Sequence, residues 1–132
     1  MNLETIRNLI GRILISAIFI YAIPSKVLNF NRTVEVISNK NIPPTLAPFL
    51  LVSAIICLIF GSILFISGFK QKLGAYLLLV FIVPTTFIFH FFPFQMKAVL
   101  MNFALIGGLL LGLNNVKGNS LKEIFNNQEI KK

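Results

Sequence analysis

Few side chains in this sequence can do chemistry, and three of them fall where apolar runs begin or end. Lys26 closes the first run, His90 closes the third, and Asn102 lies just over a turn into the last. An ammonium at membrane depth can bind an anionic headgroup or a carbonyl oxygen such as a quinone's; it can also snorkel to the interface and anchor its helix. The only histidine offers proton exchange near neutral pH, or a hydrogen bond to a backbone carbonyl or to Asn102. Asn102 can contact a ligand or join two helices through its amide. A single cysteine, Cys57, rules out an internal disulfide and a dithiol relay; as a small buried thiol it reads as a packing residue. One histidine with no carboxylate in an apolar run cannot supply three or four metal ligands, so no metal is expected.

The composition says what must hold these residues. Of the 132 residues, 56% are hydrophobic and 12% charged, and the mean hydropathy is +0.85. Soluble domains carry roughly a quarter charged residues, so this chain cannot build a water-facing surface. Its apolar blocks approach the roughly 20 residues that cross a hydrocarbon core. The expected fold is all-α, a transmembrane four-helix bundle occupying residues 1–113, with spans at about 9–28, 46–69, 73–92 and 97–113. Residues 114–132 read as a polar cytoplasmic tail, with a weak amphipathic turn at Leu121, Ile124 and Phe125. The first run lacks an A-x-A-like cleavage site and reads as a retained span rather than a signal peptide.

Each span shows a face. Counted at 100° per residue, Arg12, Ser16, Phe19, Ile23 and Lys26 lie within about 80° of one another, a polar stripe aimed at the bundle, with Arg12 and Lys26 anchoring opposite surfaces. Pro24 is expected to kink span one or stop it early. In span two, Ser53, Cys57, Gly61 and Gly68 form a small-residue stripe, and Lys70 and Lys72 follow in a tight turn that makes spans two and three antiparallel neighbours. In span three, Pro84 frees a backbone carbonyl near Thr85 and Thr86, and Tyr76, Val83, Thr86 and His90 share a face. In span four, Ala104, Gly108 and Gly112 recur every four residues, a ladder on which another helix can pack closely, within the bundle or in a homodimer. The polar stretch from Asn29 to Pro48 reads as a loop, with a short interfacial helix over Thr33–Ser38.

The charge of +8 sits at the ends of the apolar runs, where it faces lipid headgroups, so nucleic acid is not an expected partner and the lipid bilayer is. Four spans put both termini on one side. That side carries eight basic residues (Arg7, Arg12, Lys70, Lys72, Lys117, Lys122, Lys131 and Lys132), and the other carries four (Lys26, Arg32, Lys40 and Lys97). The bias places both termini in the cytoplasm. Lys26, His90 and Asn102 then share the outer half of the membrane, where converging faces would make a small polar site.

Arg12, Phe19 and Lys26 in span one, Gly61 and Gly68 before a basic turn and Ala75, the pair Phe89-His90, and the run from Asn102 to Leu111 resemble the DoxX family over roughly Gly11–Leu113. That resemblance implies a small four-helix protein of the bacterial cytoplasmic membrane. Some members are linked to membrane oxidoreductases, including a thiosulfate–quinone oxidoreductase. By resemblance the protein is an accessory or anchor subunit of a quinone-linked redox system, with quinone as the implied ligand and an oxidoreductase as partner. Many members carry an acidic residue in span two; this chain has none, so no charge-dependent role is carried over there. The alternative is a stand-alone enzyme binding quinone or another small molecule through Lys26, His90 and Asn102. A small proton-coupled transporter ranks last, because Glu4, Glu35, Glu123 and Glu129 all lie outside the spans.

Overall fold

The computed structural model describes residues 2–114 and 121–131, with side chains except at 121–124; part of the expected tail, and the side chains of Leu121 and Ile124 of its amphipathic turn, lie outside what is described. The described residues are helical, with no strand. The helices are α1 (Leu3–Leu28), α2 (Phe30–Ser38), α3 (Ala47–Ser67), α4 (Gln71–Thr85), α5 (Met96–Gly112) and α6 (Leu121–Ile130). One π-helical segment, Thr86–His90, continues α4.

α1 starts earlier than the apolar run because Asn2 caps it. The Asn2 side chain accepts a hydrogen bond from the Glu4 amide at 2.6 Å, and Glu4 adds a carboxylate to the first turn. Pro24 does not stop the helix, which runs on to Leu28 before Asn29 closes it by donating to the Ser25 carbonyl. The polar stripe faces inward as its spacing requires: Arg12, Ser16 and Phe19 are buried, and Ile23 and Lys26 are half-buried. Arg12 is only 2% exposed, inside the bundle rather than at its lipid surface.

α2 fills nearly half of the stretch that reads as loop and starts three residues before the short helix expected over Thr33–Ser38. It packs through Ile37, which clusters with Ala47 and Leu51 of α3. Asn41, at φ 61°, and the prolines 43 and 44 then turn the chain into α3. α3 ends where Gly68 takes the left-handed conformation, at φ 69°, the usual helix terminator for a residue without Cβ. Gly68 is therefore a cap in the α3–α4 turn.

The α3–α4 hairpin is packed backbone to backbone. A Cβ on Gly74 would stand 2.5 Å from the Phe65 amide nitrogen and 2.8 Å from the Gly61 carbonyl oxygen, and one on Gly61 would stand 3.0 Å from the Leu78 side chain. Small residues permit this approach in a membrane, where packing rather than water exclusion drives association. Around it Phe19, Leu58, Phe65, Leu78, Ile82 and Leu109 form the main core. α5 closes the bundle with Gly108 against Ile15 and Gly112 against the Phe65 ring. The buried Gln71 donates to the Gly112 carbonyl at 2.6 Å. Ala104, the third member of that ladder, is exposed.

Among the described residues, three helices are long and apolar enough to cross a membrane: Leu3–Leu28, Ala47–Ser67 and Gln71–His90. α5 is apolar but shorter, at 17 residues, about 25 Å at 1.5 Å per residue.

Candidate functional site

Pro84 has no amide hydrogen to give the preceding turn, and two threonines act on the carbonyls around it. Thr85 Oγ1 donates to the Phe81 carbonyl at 2.6 Å and Thr86 Oγ1 to the Ile82 carbonyl at 2.7 Å. The chain then widens into the π-helical segment, which adds a residue to the turn. This breaks the register that would put Thr86 and His90 on one face. Thr86, fully buried, faces α5 and accepts a hydrogen bond from Asn102 Nδ2 at 3.0 Å. His90, half-buried, lies on the wall of a cavity on another side.

That cavity has a volume of about 490 Å³ and sits where the end of α1, α2, the first half of α3 and the end of α4 diverge. Its walls are mainly aliphatic and aromatic. Lys26 enters from α1, Thr33 and Ile37 from α2, Ser53 and Cys57 from α3, and Phe81 from α4. The Ser53 hydroxyl donates to its own helix, to the Phe49 carbonyl at 2.9 Å. The Lys26 ammonium stands 5.8 Å from the centroid of the Phe81 ring, a cation–π contact of about 0.5–2 kcal/mol depending on desolvation. Phe81 also meets Phe19 edge-on at 6.4 Å.

The far rim is held by the turn before α5. His90 Nδ1 donates to Gln95 Oε1 at 3.0 Å, and the Gln95 amide donates to the His90 carbonyl at 2.9 Å. With Nδ1 as the donor, Nε2 is the acceptor of the neutral ring. Lys40, following α2, donates to the Phe92 carbonyl at 2.9 Å and ties the two connections of this end together.

The structure thus brings Lys26 and His90 to one cavity and leaves Asn102 outside it, bonded to Thr86. Of the residues read as packing positions, Ser53 and Cys57 line the cavity, Gly61, Gly108 and Gly112 meet neighbouring helices, and Gly68 caps α3. Sequence reasoning missed Phe81, Gly74 and Gln71. Phe81 is one phenylalanine among 14, and Gln71, between Lys70 and Lys72, looks like part of a basic turn. Gly74 follows that turn closely and could have been found by extending the small-residue argument from span two to span three. The α2 contribution was hidden by the polar composition of its stretch.

Membrane-length apolar helices, packed through small residues around an apolar cavity with two basic side chains on its wall, define a small helical membrane protein. The DoxX family model matches residues 8–91, more than half of the sequence, from α1 through the π-helical segment. The chain belongs to the DoxX family. The match stops short of α5, so the resemblance read from Asn102–Leu111 lies beyond it. No curated protein and no solved structure matches the chain.

Proposed function

We propose that this DoxX-family protein is an accessory or anchor component of a quinone-linked membrane redox system and holds a quinone-type lipophile in the α1–α4 cavity. The observation that carries the reading is the cavity of about 490 Å³ with Lys26 and His90 on an otherwise largely apolar wall. Small-molecule sites run from roughly 300 to 1,000 Å³, mostly apolar with a few placed polar groups. The ammonium suits a ring carbonyl oxygen, the free Nε2 of His90 suits the hydroxyl of the reduced ring, and the apolar wall suits the ring and the start of its tail. Electrons then come from a partner oxidoreductase, since one cysteine and one histidine do not make a redox centre.

In this reading α5 is the fourth span and both termini are cytoplasmic. The eight-to-four distribution of basic residues supports that orientation. A helix shorter than the hydrocarbon thickness is accommodated by local thinning of the bilayer. The cavity end, with Lys26, Lys40 and His90, then faces the outer leaflet.

The test is purification at native expression level in mild detergent, with mass spectrometry of both protein and lipid extracts. An oxidoreductase in fixed ratio together with a quinone is the expected result. A protein recovered alone and without quinone contradicts it. A second reading, a stand-alone quinone enzyme, is favoured by Lys26 and His90 sharing one wall. It predicts a turnover by the isolated chain that disappears in His90→Ala.

A further inference from the structure

A lysine near the end of a membrane helix normally runs its stem toward the nearer interface and leaves the ammonium in water. Lys26, two residues before the end of α1, does the reverse. The Phe81 ring that its Nζ faces at 5.8 Å also touches Phe19, a buried residue seven positions earlier on α1. The ammonium is therefore turned back along its own helix, in the direction in which helical Cα–Cβ bonds tilt, toward the interior of the bundle.

What it meets there is incomplete as a partner. None of the residues lining the cavity is acidic. Glu35, on α2, is exposed and not on the wall. An aromatic face offers a cation less than a charge-assisted hydrogen bond to an oxyanion does. An inward-turned ammonium in a mainly apolar cavity without a carboxylate is a site complementary to a negative charge carried in by a lipophile.

We propose that the cavity also takes, in competition with the quinone-type ligand, a single-chain or single-ring lipophile with an oxyanion head, which draws the Lys26 ammonium from the face of Phe81. A cavity of about 490 Å³ holds one chain or one fused ring system rather than a whole two-chain lipid. The same head chemistry is offered by a free amphiphilic acid and by an anionic phospholipid inserting one chain. The inference rests on the cavity being a ligand site and not on the redox role.

The test uses the full chain in nanodiscs of zwitterionic lipid at about pH 8, where a carboxylic acid is ionised. Binding of radiolabelled dodecanoate is compared with that of its neutral methyl ester, with empty discs subtracted. Dodecanoate binds saturably and at least about tenfold more tightly than the ester. Lys26→Gln removes that preference without weakening the ester, and Lys26→Arg retains it. Lys97→Gln, an exposed cation off the cavity wall, changes neither. If phosphatidylglycerol in the disc displaces the label in stoichiometric amount, the occupant is a phospholipid head; if it does not, the occupant is a free acid. Both results uphold the oxyanion site. Equal affinity for the two probes in the unmodified protein overturns the inference, whatever the variants do, and leaves the cavity as a site for neutral ligands such as quinones. Saturable binding of neither probe overturns both the inference and the ligand-binding role of the cavity.

Discussion

The two ends of the bundle are built on opposite principles. At the end where α3 turns into α4, backbones touch through Gly61 and Gly74, Gly68 caps the turn, and Gln71 holds the last carbonyl of α5. At the other end the same helices diverge, α2 is laid across the gap, and Lys26 and His90 are left facing a cavity. At the packed end even a methyl group on Gly74 would meet the α3 backbone. The open end is assembled from a proline-interrupted helix, a π-helical segment and a short surface helix, which pack through the smaller cluster of Ile37, Ala47 and Leu51. Backbone-to-backbone packing is therefore concentrated at one end and the proposed ligand site lies at the other, and substitutions should separate the two.

The largest effect expected is at the packed end. Gly74→Ala drives a Cβ into the α3 backbone, where no side chain can move aside, and should destabilise the protein by about 3 kcal/mol or more, at the upper end of overpacking costs. Thermal unfolding in detergent would show it, and cavity ligands would not rescue it fully. Gln71→Leu removes the bond to Gly112 and should cost about 1–3 kcal/mol, since a buried acceptor loses its donor. A melting point like that of the unmodified protein would mean that this bond adds nothing. Asn102→Leu breaks the link to Thr86 and should cost about 0.6–1.7 kcal/mol, as interhelical hydrogen bonds in membranes do. It should leave ligand affinity unchanged, because Asn102 lies outside the cavity; a binding loss as severe as that in His90→Ala would bring it back into the site.

The smallest effects on stability are expected at the open end, where the effects on binding should be greatest. Ala54→Phe fills the cavity from the α3 wall and should leave the melting point within about 1 kcal/mol equivalent while abolishing ligand binding. A protein that unfolds on that substitution would show the cavity end to be as tightly packed as the other.

The same contrast explains what could be read in the sequence. The long helices, the short one over Thr33–Ser38 and the family were legible because hydropathy and small-residue spacing write them directly into composition. The inward stripe from Arg12 to Lys26 was legible because it is a matter of period alone. The packed end was half legible: Gly61 carries a signal, whereas its partner Gly74 gains meaning only once the register of two antiparallel helices is known. The open end was least legible. A π-helical segment leaves no compositional mark, so Thr86 and His90 were placed on one face, and Asn102 was grouped with His90 although it bonds the other residue. The cavity arises from where α2 comes to rest, which is tertiary information. Lys26 and His90 could be singled out because ionisable groups in apolar runs are rare, and both line the cavity; Phe81, which also lines it, could not, because phenylalanine there is common.

The most direct test is photolabelling with an azido-quinone in native membranes, followed by peptide mapping. The account predicts label on the cavity wall, around Lys26, Leu50–Cys57 and Val80–His90, and its disappearance in Ala54→Phe. Label spread over the lipid-facing surface of α5, or unchanged by filling the cavity, would contradict it.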